Sequence, residues 1–142
     1  MIKIYKTLTR NDTGETHSHQ SGITIPVKVA ESGVFPDMGT DKLNPRVPLL
    51  FYDENHNLWE FQYIYYNDVF FGKPRHQAHN EHRLTCITKY IAENDIKSGD
   101  SVWFSIDEKG VRRIGFERAE QEIKTEKVPV IKLGKNWRYI QY

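Results

Sequence analysis

The sequence is poor in cysteine, has no long apolar run and carries no large excess of charge of either sign. Its single cysteine, Cys86, excludes an internal disulfide and is typical of a reducing compartment, so we expect a cytoplasmic protein. No apolar run approaches the roughly 20 residues that a membrane-spanning helix needs. The formal net charge is +1, so the overall charge does not indicate a nucleic-acid binder.

Several catalytic motifs are also absent, including the P-loop, the G-x-G-x-x-G pattern and the G-x-S-x-G pattern. A carboxylate–x–lysine triplet of the kind found in metal-dependent nucleases occurs at Glu122-Ile123-Lys124, but we interpret its charged surroundings as solvated surface. The apolar neighbours of Cys86 predict a buried small side chain rather than a nucleophile. The sequence therefore predicts no catalytic residue in this chain.

The histidines raise the question of a metal site. His76, His79 and His82 follow one another at intervals of three, and His17 and His19 form a second group. This spacing does not match the helical H-E-x-x-H pair of zinc enzymes, and no cysteine pair accompanies it. We interpret the histidines as hydrogen-bonding residues of polar loops and expect no metal, while a small histidine-dependent nuclease stays an alternative.

Two polar segments are present instead. Residues 9–22, TRNDTGETHSHQSG, contain no apolar side chain, and between Lys73 and Lys89 the only acid is Glu81. Lysine and arginine neutralise phosphates, while Arg, Asn, Gln and Glu side chains pair with base edges in the major groove. Glu81 fits two interpretations, a base-edge acceptor or a salt-bridge partner of Arg83. The two segments together predict a surface that binds a polar, anionic partner.

Apolar alternation and turn residues predict a mainly β fold with two short helices, which we interpret as a small pseudobarrel forming a single domain over residues 1–142. One helix is expected at 27–33 and another near 85–94, with Thr85 as its N-cap. The basic segment, residues 67–83, is expected to be a loop on the same end of the fold as residues 9–22. The predicted strands are 1–8, 23–26, 48–53, 58–66, 101–107 and 111–118, with further candidates at 127–133 and 137–142.

Three segments resemble known DNA-binding domains. LTRNDTGETHSHQSGITIP is similar to the N-terminal recognition loop of EcoRII-type restriction endonucleases, which combines Asn-Asp-Thr-Gly, a His-Gln pair and a strand ending Ile-Pro. YYNDVFFGKPRHQAHNEHRLT resembles the second loop of that family, with a few extra residues near HQAH. LTCITKYIAENDIKSGDSVWF also resembles plant B3 DNA-binding domains. The resemblance covers most of residues 1–116.

The resemblance implies a B3-like open pseudobarrel of seven to eight strands that grips double-stranded DNA and reads a short site in the major groove with two loop arms. In the family this domain binds an effector copy of the target and controls a separate nuclease domain. The implied partners are therefore double-stranded DNA and a C-terminal nuclease domain absent from this chain, with no membrane and no cofactor, except a divalent metal if a nuclease domain is fused elsewhere. A stand-alone regulatory or protein-binding module of the same fold is a further alternative.

The resemblance also implies which residues bind DNA. Asp12 has a second interpretation, because an Asx-type turn at Asp12 would shape the loop without touching a base. Gly14 and Gly22 are expected to let the backbone turn close to the duplex. The implied DNA-binding residues are Lys6, Thr7, Thr9, Asn11, Asp12, Thr13, His19 and Gln20 in the first arm, and Asn67, Lys73, Arg75, His79, Asn80, Glu81, His82 and Arg83 in the second.

Overall fold

The protein was analysed as a computed structural model, which describes residues 2–15, 22–69, 71–72, 80–119, 130–134 and 136–140. In these residues a single sheet contains all the strands. The strands are β1 (Ile2–Thr7), β2 (Ile23–Ile25), β3 (Arg46–Tyr52), β4 (Leu58–Tyr66), β5 (Glu81–Thr85), β6 (Ser101–Ile106), β7 (Arg112–Glu117), β8 (Val130–Gly134) and β9 (Trp137–Ile140). The helices are α1 (Arg10–Thr13), α2 (Val27–Ala30) and α3 (Thr88–Glu93).

The sheet consists of two antiparallel halves joined at a seam. Its strand order is β2-β5-β4-β3-β7-β6-β1-β9-β8. Strands β3 and β7 meet in parallel through the residue pair Tyr52 and Arg113, whereas β3 and β4 pair over seven residues. Backbone hydrogen bonding across the seam is therefore short, and side-chain packing must hold the two halves together.

Aromatic side chains supply that packing. Phe104 of β6 lies 5.6 Å from Phe51 of β3 and 5.8 Å from Phe35, measured between ring centroids. Phe35 in turn stacks on Tyr63 of β4 at 5.0 Å. Phe51, Tyr63 and Phe104 are fully buried, and each of the two phenylalanines contributes about 1.5–3 kcal/mol by leaving water. The core thus spans the seam and fixes one half of the sheet against the other.

Most predicted elements occur where the sequence indicates them, and the mainly β prediction is confirmed. Residues 81–83, expected in a loop, belong instead to β5, which pairs with β2 on one side and β4 on the other. Thr85 ends β5 and is not an N-cap, since α3 begins at Thr88. The short helix α1 was not expected either, so the described residues contain three helices and nine strands.

The prediction that Cys86 is buried is wrong. Cys86 lies between β5 and α3 with a left-handed backbone, φ +66°, and its side chain is exposed. Leu84 and Ile87, on either side, are fully buried. The reversal of the chain at Cys86 lets both neighbours reach the core and turns the thiol outward.

The helices are short. In the described ranges the longest of them, α3, has six residues, too few to cross a bilayer.

Gly22 fixes how closely β2 approaches β5. Its φ is +79°, and a Cβ placed there would lie 2.2 Å from the carbonyl oxygen of Leu84 in β5. The glycine is thus needed for a close approach to the protein's own backbone. Its expected role beside a duplex stays a prediction.

We expect Gly22→Ala to destabilise the protein much more than Gly110→Ala. Gly110 also has a positive φ, +82°, but nothing lies within 4 Å of a Cβ placed there. Gly110→Ala should cost about 1–2 kcal/mol for its left-handed backbone alone. Gly22→Ala should cost that plus about 1–3 kcal/mol for displacing β5. Urea unfolding of both variants measures the difference, and equal losses would contradict the close packing of β2 on β5.

Candidate nucleic-acid interface

The first polar segment starts with α1, a helix that is capped at both ends. Thr9 is its N-cap: the Thr9 hydroxyl accepts a hydrogen bond from the amide of Asp12 (3.3 Å), and Asp12 Oδ2 accepts one from the amide of Thr9 (2.9 Å). This reciprocal pair is a capping box. Gly14, in the left-handed conformation with φ +82°, ends the helix. Asp12 therefore has a structural role, but it acts through a capping box and not through the expected Asx-type turn.

Asp12 also neutralises a lysine that faces the interior. Lys6 lies on the same face of β1 as Ile4, and its side chain is 8% exposed. Its ammonium forms an ion pair with Asp12 Oδ2 and lies 5.9 Å from the centre of the Trp137 ring. An unpaired buried charge is costly, so Lys6 and Asp12 should stay together. Their ion pair links the end of β1 to α1, the helix that carries Asn11.

The second polar segment contributes an ion pair from β5. Glu81 and Arg83 lie on the same face of the strand, with Arg83 Nε 3.3 Å from Glu81 Oε2. Thr24 of β2, opposite Arg83 in the ladder, completes a triangle. The Thr24 hydroxyl donates to Glu81 Oε1 and accepts from Arg83 Nη2, both at 3.2 Å. The salt-bridge interpretation of Glu81 is confirmed, while its role as a base-edge acceptor stays a prediction.

Thr24 brings the two polar segments together. It lines an open concave pocket of about 280 Å³. Residues of the first segment and of β9 line the same pocket. We call Lys6, Asp12, Thr24, Glu81 and Arg83 the polar cluster. The residues lining the pocket are Lys6, Thr9, Asn11, Asp12, Gly22, Thr24, Pro26, Asn136 and Trp137.

The polar cluster is electrically balanced. Its two cations, Lys6 and Arg83, are each paired with a carboxylate, and the four charged side chains are between 7% and 11% exposed. Side chains held in this way lose little further freedom when a ligand binds. The cluster is therefore built for directional hydrogen bonding more than for attracting phosphate charge.

His82 does not share the face of Glu81 and Arg83. Strand alternation places it on the opposite face of β5, where its ring stacks on Tyr65 with centroids 4.1 Å apart. Burial lowers the pKa of His82, although the nearby carboxylates of Asp37 and Glu31 oppose the shift. The ring lines a second cavity together with Tyr65 and Asp37, on the other face of the strand from Glu81 and Arg83.

Asn67, at the start of the basic segment, is held inside the protein. Its side chain is fully buried. Its Oδ1 accepts from the amide of Asn44 (2.7 Å), and its Nδ2 donates to the carbonyl of Lys42 (2.8 Å). Both ends of the amide thus hold residues 42–44, and the DNA contact that the resemblance implied for Asn67 stays a prediction.

Thr7 lies on the other face of β1 from Lys6. Its hydroxyl accepts a hydrogen bond from Arg138 Nη1 (2.8 Å) and lies 3.3 Å from the hydroxyl of Ser101. Thr13 is half-buried in α1, where its hydroxyl donates to the carbonyl of Arg10, and Asn80 immediately precedes Glu81. The remaining implied residues, His19, Gln20, Lys73, Arg75 and His79, lie outside the described residues.

The structure tests the metal-site alternative only for the residues that it describes. Among the residues that the structure describes, no group of three His, Cys, Asp or Glu side chains is placed to hold a metal ion. His17, His19, His76 and His79 lie outside that part of the chain.

Sequence reasoning missed three residues of this region. Thr24 lies in the apolar run ITIP, where alternation marks it as the residue that faces away from the core. Asn136 and Trp137 occur in GKNW, which shows only the character of a hairpin turn. Alternation could have identified Thr24, but no local signal places Asn136 and Trp137 beside Lys6.

Comparisons with known proteins show the family to which the sequence is similar. The family model described as "Restriction endonuclease EcoRII, N-terminal" matches residues 1–103. The type II restriction enzyme EcoRII of Escherichia coli is 42% identical over 83 residues, which cover 56% of this chain and 19% of that protein. Auxin response factor 5 of Arabidopsis thaliana is 32% identical over 118 residues, 82% of this chain and 11% of that protein. The chain thus spans between about a tenth and a fifth of these relatives.

Two solved structures have the same fold. A complex of Arabidopsis FUS3 with DNA superposes with a TM-score of 0.60 at 18% identity, covering 81% of this chain and 95% of FUS3 in that structure. The B3 domain of the UbaLAI restriction endonuclease with cognate DNA gives 0.50 at 22% identity, covering 81% and 65%. The predicted B3-like fold is confirmed, and in the described residues its sheet has nine strands rather than seven or eight.

The ion pair of Lys6 and Asp12 should stabilise the fold. Asp12→Ala should cost roughly 3 kcal/mol, because it leaves Lys6 buried without a counter-charge and removes a helix cap. Adding Lys6→Met to that variant should recover part of the loss, since the unpaired charge is then gone.

Glu93→Ala is the matched control, because Glu93 pairs with Lys89 on the exposed face of α3. Its loss should stay below about 0.5 kcal/mol. Thermal and urea unfolding compare the variants. Equal losses for Asp12→Ala and Glu93→Ala would show that the buried pair does not support α1.

Proposed function

The chain belongs to the family of N-terminal domains of the restriction endonuclease EcoRII, and we propose that it binds double-stranded DNA sequence-specifically as the recognition domain of a type II restriction endonuclease. In this proposal, the two loop arms of the domain read a short site in the major groove. The observation that carries it is the position of Thr24, which hydrogen-bonds to Glu81 and Arg83 of the second segment and lines the pocket that Lys6 of β1 and Asp12 of the first segment also line. The two similar structures are DNA complexes, which supports the proposal.

Glu81 and Arg83 are proposed as the base-reading pair. Glu81 holds Arg83 Nε, so the guanidinium plane is oriented before DNA arrives. Arginine pairs bidentately with the O6 and N7 atoms of guanine, and a glutamate accepts from the N4 amino group of cytosine. A fixed pair of this kind can bond to the guanine and the cytosine of one G·C base pair, and it would leave its hydrogen-bonding groups unpaired at the other base pairs. Asn11, which is exposed at the pocket rim, is proposed to contact the adjacent base.

Phosphate contacts are assigned to other residues. Because the cations of the polar cluster are already paired, they release few counterions when DNA binds. Lys73 and Arg75 of the basic segment are proposed to neutralise phosphates, with His19, Gln20 and His79 as further arm contacts. Affinity and its salt dependence would then depend on Lys73 and Arg75, and sequence preference on Glu81, Arg83 and Asn11.

Cleavage is proposed to reside outside residues 1–142, which would form a single recognition domain of a cytoplasmic protein. In this proposal a partner nuclease domain supplies the catalytic residues and any divalent metal. DNA binding itself then needs no metal or other cofactor.

The first test is selection of duplexes from a random pool in the presence of EDTA, followed by titration of the selected duplex against a scrambled one. We expect a short enriched site, bound about a thousandfold more tightly than the scrambled duplex. No enrichment, with only weak salt-sensitive binding, would contradict the proposal and favour a protein-binding module. Metal-dependent cutting that is lost on His79→Ala would favour the nuclease alternative.

The division of roles predicts different effects for two basic residues. Arg83→Ala should lower discrimination at one base pair by about 1–3 kcal/mol and change the salt dependence little. Lys73→Ala should weaken binding to all duplexes alike and reduce the salt slope by about one.

Arg113→Ala is the matched control, since Arg113 lies half-exposed on β7 with Asp107 as its partner. It should leave both quantities unchanged. Titrations at several salt concentrations, with the selected duplex and its single-base variants, measure them. Arg83→Ala and Lys73→Ala behaving alike would show that Glu81 and Arg83 do not read a base.

A further inference from the structure

The turn between β8 and β9 lies on the wall of the same pocket, although the match to the EcoRII family ends at residue 103. We propose that Asn136, in this turn, is a third DNA-reading element whose side-chain amide contacts a base edge next to those read by the two arms. This inference rests on the proposed function and extends it to a part of the chain beyond the family match.

The backbone places Asn136 where the first arm begins. Strand β9 pairs antiparallel with β1, with Trp137 opposite Lys6 and Arg138 opposite Tyr5. The amide of Thr7 then donates to the carbonyl of Asn136 (2.8 Å), one residue beyond the ladder. Asn136 is therefore held beside Thr7, the last residue of β1. Thr7 lies two residues before the capping residue Thr9.

The side chains next to Asn136 fix this position from both faces of the sheet. Trp137 is buried, with its ring centroid 6.2 Å from that of Phe104 in the core. On the other face, Arg138 donates to the hydroxyls of Thr7 (2.8 Å) and Ser101 (3.2 Å). A turn anchored in this way presents its exposed residue in one place, which base reading requires.

Asn136 itself is exposed and faces the pocket that Asn11 and Thr24 also line. In the described part of the chain its side-chain amide has no hydrogen-bond partner. An amide carries both a donor and an acceptor, the combination that pairs bidentately with adenine N6 and N7. It is neutral, so it adds a directional contact without disturbing the charge balance of the polar cluster.

A purely conformational role would also explain an asparagine here. Asn136 has φ +66°, a left-handed backbone that asparagine adopts more readily than most residues. Asn136→Gly separates the two roles, because glycine keeps this backbone without strain and removes only the side chain. His56→Gly is the matched control: His56 has φ +64° and is exposed in the turn between β3 and β4, away from the pocket.

The experiment measures Kd of the wild type and both variants, in EDTA, for the selected duplex, its single-base variants and a scrambled duplex. We expect Asn136→Gly to weaken binding to the selected duplex about 10- to 100-fold and to the scrambled duplex less than about twofold, with the loss confined to one base position. His56→Gly should bind as the wild type does, and both variants should unfold at the wild-type urea midpoint.

Three outcomes would overturn the inference. Wild-type affinity of Asn136→Gly for the selected duplex would leave Asn136 only a turn residue. Equal loss on both duplexes would indicate a phosphate contact and not base reading. A wild type that selects no site would overturn the proposed function together with this inference, whereas the first two outcomes leave the proposed function standing.

Discussion

The pairing of the three-residue strand β2 with β5 is the constraint on which the candidate interface depends. It joins Thr24 to Glu81 and Arg83, nearly 60 positions away in the sequence, and it exists because Gly22 allows a backbone approach that no side chain would permit. Without this ladder, Thr24 would not place the Glu81–Arg83 pair next to the pocket that Lys6 and Asp12 line. A short edge strand thus decides whether two polar segments form one site.

The element pattern was largely predictable, because strands such as β3, β4 and β6 are short runs rich in apolar and aromatic residues that lie between turn signals. Strand β5 was not, since EHRLT carries three charged or titratable side chains and its burial comes from neighbours on both sides. That one assignment mattered for the site: in a strand, His82 must face away from Glu81 and Arg83. Residue types therefore predicted the chemistry of the interface, whereas ladder register decided which of those residues meet.

Long-range contacts explain the other differences. Asn67 looks like any polar loop residue in the sequence, but its amide is used wholly by residues 42–44, which lie some 25 positions earlier. Asp12 likewise looks like a base-edge acceptor until its partners, Thr9 and Lys6, are known. In both cases the side chain stabilises the scaffold because its hydrogen-bonding capacity is consumed inside the protein, and no local pattern records that.

The sheet continues beyond the segment that matches the family model, so the match alone does not mark the end of the folded domain. The family match ends at residue 103, within β6, yet β1 lies between β6 and β9 in the sheet. A chain cut at that point would expose the edge of β1 and remove Trp137 from beneath Lys6 and from the core. The charge of Lys6 would then lose the aromatic surface beside it, and the start of the first arm would lose its hydrogen bond to Asn136. The polar cluster accordingly depends on the last strand of the sheet as much as on the first, so the folding unit must extend well beyond the segment that carries the family's sequence signature.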